Sequence, residues 1–219
     1  HKYLYPLFLK FSFAEKIFLS AEKNNPTGFA YVKNPYFYGE VSISRTARFF
    51  PSNIIFKLFI TLSSIFLFLY WKNTFNLFNI FEKKKIINKF SKKFFYFGLL
   101  SSVFLILHTI FLGFEFDTKL LNKLRRLFIF LFIIFEVSAQ TILTINLIKL
   151  KKEIKNFINP LVLQIKIIFI VVIVLFTIVA LAALYFVNFD TALKHVIEWN
   201  YFGLLLLYYL LSNLLWRKP

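Results

Sequence analysis

One stretch limits what this chain can fold into. Residues 127–150 are apolar almost throughout and about as long as a helix needs to be to cross a hydrocarbon core of ~30 Å. Arg125 and Arg126 precede it, and Lys149, Lys151 and Lys152 follow. Its polar residues are not scattered, because Glu136, Gln140 and Thr144 stand at successive steps of four and share one helix face. A carboxyl group near the middle of a membrane span is costly unless it meets protein, water or a partner. The other apolar stretches are therefore expected to wrap this stripe, with Glu136 and Gln140 inside the bundle. The hydroxyls at matching depth are Ser63, Ser64, Thr109 and Thr177, which are the expected partners.

The rest of the chain has the same character. It is 59% hydrophobic and 21% aromatic, with a mean hydropathy of +0.69, well above soluble domains. The 33 Phe, beside many Lys, Ile and Asn, fit an AT-rich coding sequence and are not read as a binding feature. The fold class is all-α, a multi-pass transmembrane bundle with five clear spans at about 54–71, 94–114, 127–150, 163–187 and 200–216. Residues 1–53 form a separate N-terminal part. Within it, residues 1–20 are apolar but carry Lys10, Glu15 and Lys16, the pattern of a degenerate span or an interfacial helix. Residues 21–53 read as an external or lumenal loop whose tyrosines suit a membrane–water interface. The sequence holds no Met, so the initiating residue is expected to be missing, and a sixth span would fall at or before residues 1–20.

Charge sets the expected orientation. The formal net charge is +17, and the basic residues cluster beside the spans, so anionic lipid headgroups are the expected partner rather than nucleic acid. Residues 72–93, 149–155 and 217–218 carry 13 Lys and Arg, while 115–126 and 188–199 carry five. By the positive-inside rule the first group is cytoplasmic. Lys83, Lys84, Lys85, Lys89, Lys92 and Lys93 alternate with bulky apolar residues. That suits either a helix lying in the headgroup layer or a solvated loop.

Chemistry is sparse. The absence of Cys excludes disulfides, thiolate metal sites and a cysteine nucleophile. There is no metal-spaced His pair, glycine-rich phosphate loop or nucleophile elbow, and no cofactor or metal is expected. Candidates are few: Glu136 with Gln140 as a proton-relay, headgroup or packing node, and His108 as an acid, a base or a structural residue. On the external face His195 and Glu198 lie three apart, beside the interface residue Trp199. A lipid-remodelling enzyme would need Glu136, His108, His195 and Glu198 to converge. A channel is disfavoured because the spans between 54 and 114 offer few polar residues to line a path.

Three short motifs then point to a family. Ile43, Ser44 and Thr46, followed by Pro51 and Phe56, give I-S-x-T, four residues, P, four residues, F immediately before a span. Gln140, Thr141 and Leu143 give Q-T-x-L in the central span, and Glu198–Trp199 precedes the last one. In order and position this resembles the damage-regulated autophagy modulator and FGF-receptor-activating protein family, over about residues 43–216. The chain carries Arg45, Ala47 and Ser52 where that family has Asp, Gly and Glu. The resemblance implies six spans and mostly non-enzymatic roles in lipid handling or membrane scaffolding. The rival readings are an accessory subunit of a larger membrane complex and a lipid-remodelling enzyme.

Overall fold

A computed structural model of the chain describes residues 34–39, 42–43, 52–111, 119–186 and 191–216. The expectations for residues 1–20 and for the Ser44–Pro51 motif segment lie outside them. The described elements are helices: α1 (Pro35–Tyr38), α2 (Ser52–Lys83), α3 (Lys93–Phe111), α4 (Lys119–Lys149), α5 (Pro160–Phe186) and α6 (Thr191–Leu215). Four are long and apolar enough to cross a membrane: α2, α3, α4 over Arg126–Lys149, and α5 over Pro160–Ala180. The chain is thus an all-helical, multi-pass integral membrane protein. α6, with 25 residues, is not one of the four, since Asn200, Asn213 and its tyrosines dilute its apolar run.

Helix α2 corrects the expected boundary at residue 71. It runs on without a break to Lys83, so the first half of the basic 72–93 segment belongs to the span helix. At 32 residues it is roughly 48 Å long, well beyond the hydrocarbon thickness. Apolar Phe75, Phe78 and Phe81 carry it past the bilayer limit by packing on Phe90, Phe94 and Phe157. Only then does the chain turn, with Lys85 at a φ of 56°.

Consecutive helices pack against each other: α2 on α3, α3 on α4, α4 on α5 and α5 on α6. The ring closes where α6 meets α2, through Tyr70 against Tyr209 and Phe81 against Trp216. One end is tightly tied. Glu153 accepts from the backbone and the side-chain nitrogens of Asn88, at 2.8 and 2.9 Å. Asn146 and Ser91 exchange two hydrogen bonds between α4 and the same turn. Asn159, which caps α5 ahead of Pro160, donates its backbone N–H to Leu215 at the end of α6. Residues 84–92 and 150–159 and the end of α6 therefore share one end of the bundle. Lys83, Lys84, Lys85, Lys89, Lys92, Lys93, Lys149, Lys151, Lys152 and Lys155 are all exposed there.

At the opposite end α1 lies on the first turns of α6. Asn34 caps α1 by accepting from the Tyr36 N–H, and Gly39 ends it at a φ of +59°. A side chain at Gly39 would sit 1.9 Å from the Ala192 carbonyl oxygen, so both the left-handed turn and the close approach require glycine.

Candidate functional site

The polar stripe of α4 is the centre of the bundle. Glu136 and Gln140 are fully buried, and Thr144 and Asn146 nearly so. Glu136 Oε1 accepts from Gln140 Nε2 at 2.7 Å and from the Tyr209 hydroxyl of α6. Glu136 Oε2 lies 2.6 Å from Ser101 Oγ of α3, and that hydroxyl also lies 2.8 Å from the Gly98 carbonyl. A serine has one proton to give and the carbonyl can only accept. The set closes when Glu136 is a neutral acid, with Oε2–H donating to Ser101 and Ser101 donating to Gly98. Trp71 of α2, also fully buried, packs against the same carboxyl and lies over Gly98.

The expected partners differ from those observed. Ser64, Thr109 and Thr177 each turn back to a carbonyl three or four residues earlier in their own helix, and Ser63 is exposed. A hydroxyl in lipid finds its own helix first, so depth alone does not select a partner. Ser101 reaches the acid from a buried small-residue face of α3 that also carries Ser102 and Gly98, on which Trp71 of α2 seats.

A second buried polar group, unanticipated from sequence, is Lys166 of α5, only 1% exposed. A lysine near a span's end ordinarily snorkels to the interface. Here its Nζ donates to Ser212 Oγ at 2.6 Å and rests 4.3 Å above the Tyr208 ring. Ser212 donates in turn to the Tyr208 carbonyl, and the Tyr208 hydroxyl reaches the Gln140 carbonyl at 3.3 Å. Tyr70 of α2 lies near Ser212 and Thr74. All five long helices thus contribute to one polar core. The available signals were Lys166 as the lone charge in residues 161–186 and the tyrosines spaced through the last helix.

The external candidates have other work. His195 Nδ1 meets the Gly39 carbonyl at 2.7 Å, Trp199 packs edge-on against Tyr36 at 5.7 Å, and Asn200 donates to the Tyr36 carbonyl. They clasp α1 onto α6. His195 is 14 residues from Tyr209, about 21 Å along α6, and His108 lies seven residues, about 10 Å, beyond Ser101 on α3. Glu136, His108, His195 and Glu198 therefore do not converge, against the requirement of a lipid-remodelling enzyme. Among the described residues no cluster of three His, Asp or Glu could hold a metal.

Comparison with known proteins finds no matching family model, no matching curated protein and no matching solved structure.

Proposed function

We propose that this chain is a non-catalytic membrane protein of five spans that engages anionic lipid at its lysine-ringed end, in lipid handling or membrane scaffolding. One observation carries the reading. Ser101, Glu136, Gln140, Lys166 and Ser212 are buried and hydrogen-bonded inside the bundle, while the spans expose mostly apolar side chains between a clasped end and an end ringed by exposed lysines. The resemblance to the damage-regulated autophagy modulator family implies roles of the same kind and is part of this proposal.

The five-span count is supported by α6 having one end on Asn159 and the other on α1, and by a length of roughly 37 Å. The chain is free of Cys, so single cysteines report sidedness directly. In sealed vesicles, a membrane-impermeant maleimide is expected to label Lys89→Cys and Lys155→Cys from one side and Lys194→Cys from the other. A tag added after the last residue should share the side of residue 89. A tag on the side of residue 194 would remove α6 from the spans.

For the lipid, each Lys near an anionic surface contributes about 1 kcal/mol, and salt weakens the effect. Replacing Lys83, Lys84 and Lys85 by Gln in the full chain should lower retention of anionic lipid in nanodiscs of mixed composition, and flatten its salt dependence. Equal retention by the variant would sink the lipid reading.

A second reading, an accessory subunit of a larger complex, draws on α2. Over residues 52–69 only Ser64 and Leu67 are buried, and Ile54, Phe59 and Phe66 are each more than 60% exposed. The mass of the particle extracted in mild detergent separates a subunit from a solitary chain.

A further inference from the structure

The polar core is lopsided along the membrane normal. Toward the lysine-ringed end α4 carries Gln140 and Thr144 on the face of Glu136 and Asn146 on another face, all buried, with the buried Leu143 and Leu147 between them, and Asn146 bonds to the exposed Ser91. Tyr70 and Thr74 of α2, Lys166 of α5, and Tyr208, Tyr209 and Ser212 of α6 flank this run. In the other direction residues 127–135 of α4 are apolar without exception. Phe104 stacks there on Phe135 and Phe128, and Phe111 packs on Phe128. The titratable groups around the acid are Tyr70 from α2 and Tyr201, Tyr208 and Tyr209 from α6, with Lys166 of α5 one step away on Ser212 and Tyr208; α3 supplies the Ser101 hydroxyl. Of these, Tyr201 stands on the phenylalanine side, eight residues before Tyr209 on α6.

We propose that Glu136 is an intramembrane proton-binding site, reached through the polar column from the lysine-ringed end and sealed from the opposite end by the phenylalanine stack. The ligand is a proton. On exchange the Glu136 O–H bond breaks and its proton leaves to solvent along the neighbouring hydroxyls, and a solvent-derived proton returns by the same hydroxyls to re-form the bond, so the interior gains no net charge. Loss of the proton would turn the Ser101 hydroxyl from the Gly98 carbonyl to Glu136 Oε2, so the direction of this hydrogen bond between α3 and α4 follows the proton. This site is independent of whether the lysines hold lipid.

The test uses the full chain reconstituted in vesicles and transferred into heavy water. The infrared C=O stretch of a protonated carboxyl is followed, and the component missing from Glu136→Gln is assigned to Glu136. That component is expected to shift in the native chain, and to shift about an order of magnitude more slowly in Thr144→Val and Ser212→Ala. Tyr70→Phe, which keeps its ring packing, should slow it likewise and decides the matter where another variant fails to fold. Tyr201→Phe, on the sealed side, should leave the rate unchanged. The proposal is overturned by a Glu136→Gln spectrum that loses no such component, by column variants that exchange at the native rate, or by equal slowing in Tyr201→Phe.

Discussion

Glu136→Ala is expected to destabilise the bundle by on the order of 3 kcal/mol or more, and Glu136→Gln by about 1 kcal/mol or less. The contrast comes from the hydrogen-bond inventory. Alanine leaves Ser101, Gln140 and Tyr209 facing a void in a site with no exposure, and each buried polar group that loses its partner costs about 1–3 kcal/mol. Interhelical hydrogen bonds in membranes average nearer 0.6 kcal/mol, because the unfolded chain in lipid also finds partners, so the sum stays below three full penalties. Glutamine repeats the neutral acid's pattern: its amide N–H donates to Ser101 while its carbonyl accepts from Gln140 and Tyr209. Unfolding of the purified variants in mixed detergent micelles measures both. Equal loss in the two variants would mean that the folded bundle needs an ionised carboxylate there.

Assaying the Glu136→Gln variant for function beside its stability separates structure from function. A packing node keeps both fold and activity in Glu136→Gln. A proton site keeps the fold and loses whatever the proton drives, because the amide cannot release it.

What the sequence made legible follows from period and charge. The step of four that joins Glu136, Gln140 and Thr144 is a property of one helix, so their common face could be read without neighbours. Lysine asymmetry likewise pointed to the end where Asn88 and Glu153 now join residues 84–92 to 150–159. Pro160, whose fixed φ and missing N–H suit the first turn of a helix, stands at the start of α5. The partners of the acid were not legible, because they depend on which helices are adjacent and how closely they approach. Ser101 could be chosen over Thr109 only through the close seat beside Gly98. Lys166 was hidden by its own surroundings, where a single charge in a long apolar run looks like a snorkelling end residue. The continuation of α2 to Lys83 is not legible locally, because the apolar run ends at Trp71 before Lys72, while Phe78 and Phe81 keep the helix packed beyond it. His195 and Trp199 looked like a site in sequence, since nothing local reveals that their partners are a glycine carbonyl and a tyrosine far earlier in the chain.

The second large effect is expected from adding one methyl group at Gly98. A Cβ there would lie 2.3 Å from two ring atoms of Trp71 and 2.6 Å from a third, all well inside contact distance. Neither side can yield cheaply. Trp71 is fully buried, with the Tyr70 ring 5.0 Å away and Phe94 6.2 Å away, and it also packs on the Glu136 carboxyl. Moving α3 instead would draw Ser101, one turn further on, away from Glu136. Overpacking a well-filled interior costs about 1–3 kcal/mol, and the coupling to the buried hydrogen bonds puts Gly98→Ala at the upper end of that range. Trp71→Ala removes all three ring atoms that the methyl would strike, so the double variant Gly98→Ala with Trp71→Ala should lose less stability than the two single losses summed. That shortfall is a coupling of the kind a double-mutant cycle isolates. Additive losses in the cycle would show that Gly98 is needed for its backbone and not for the seat it leaves to Trp71.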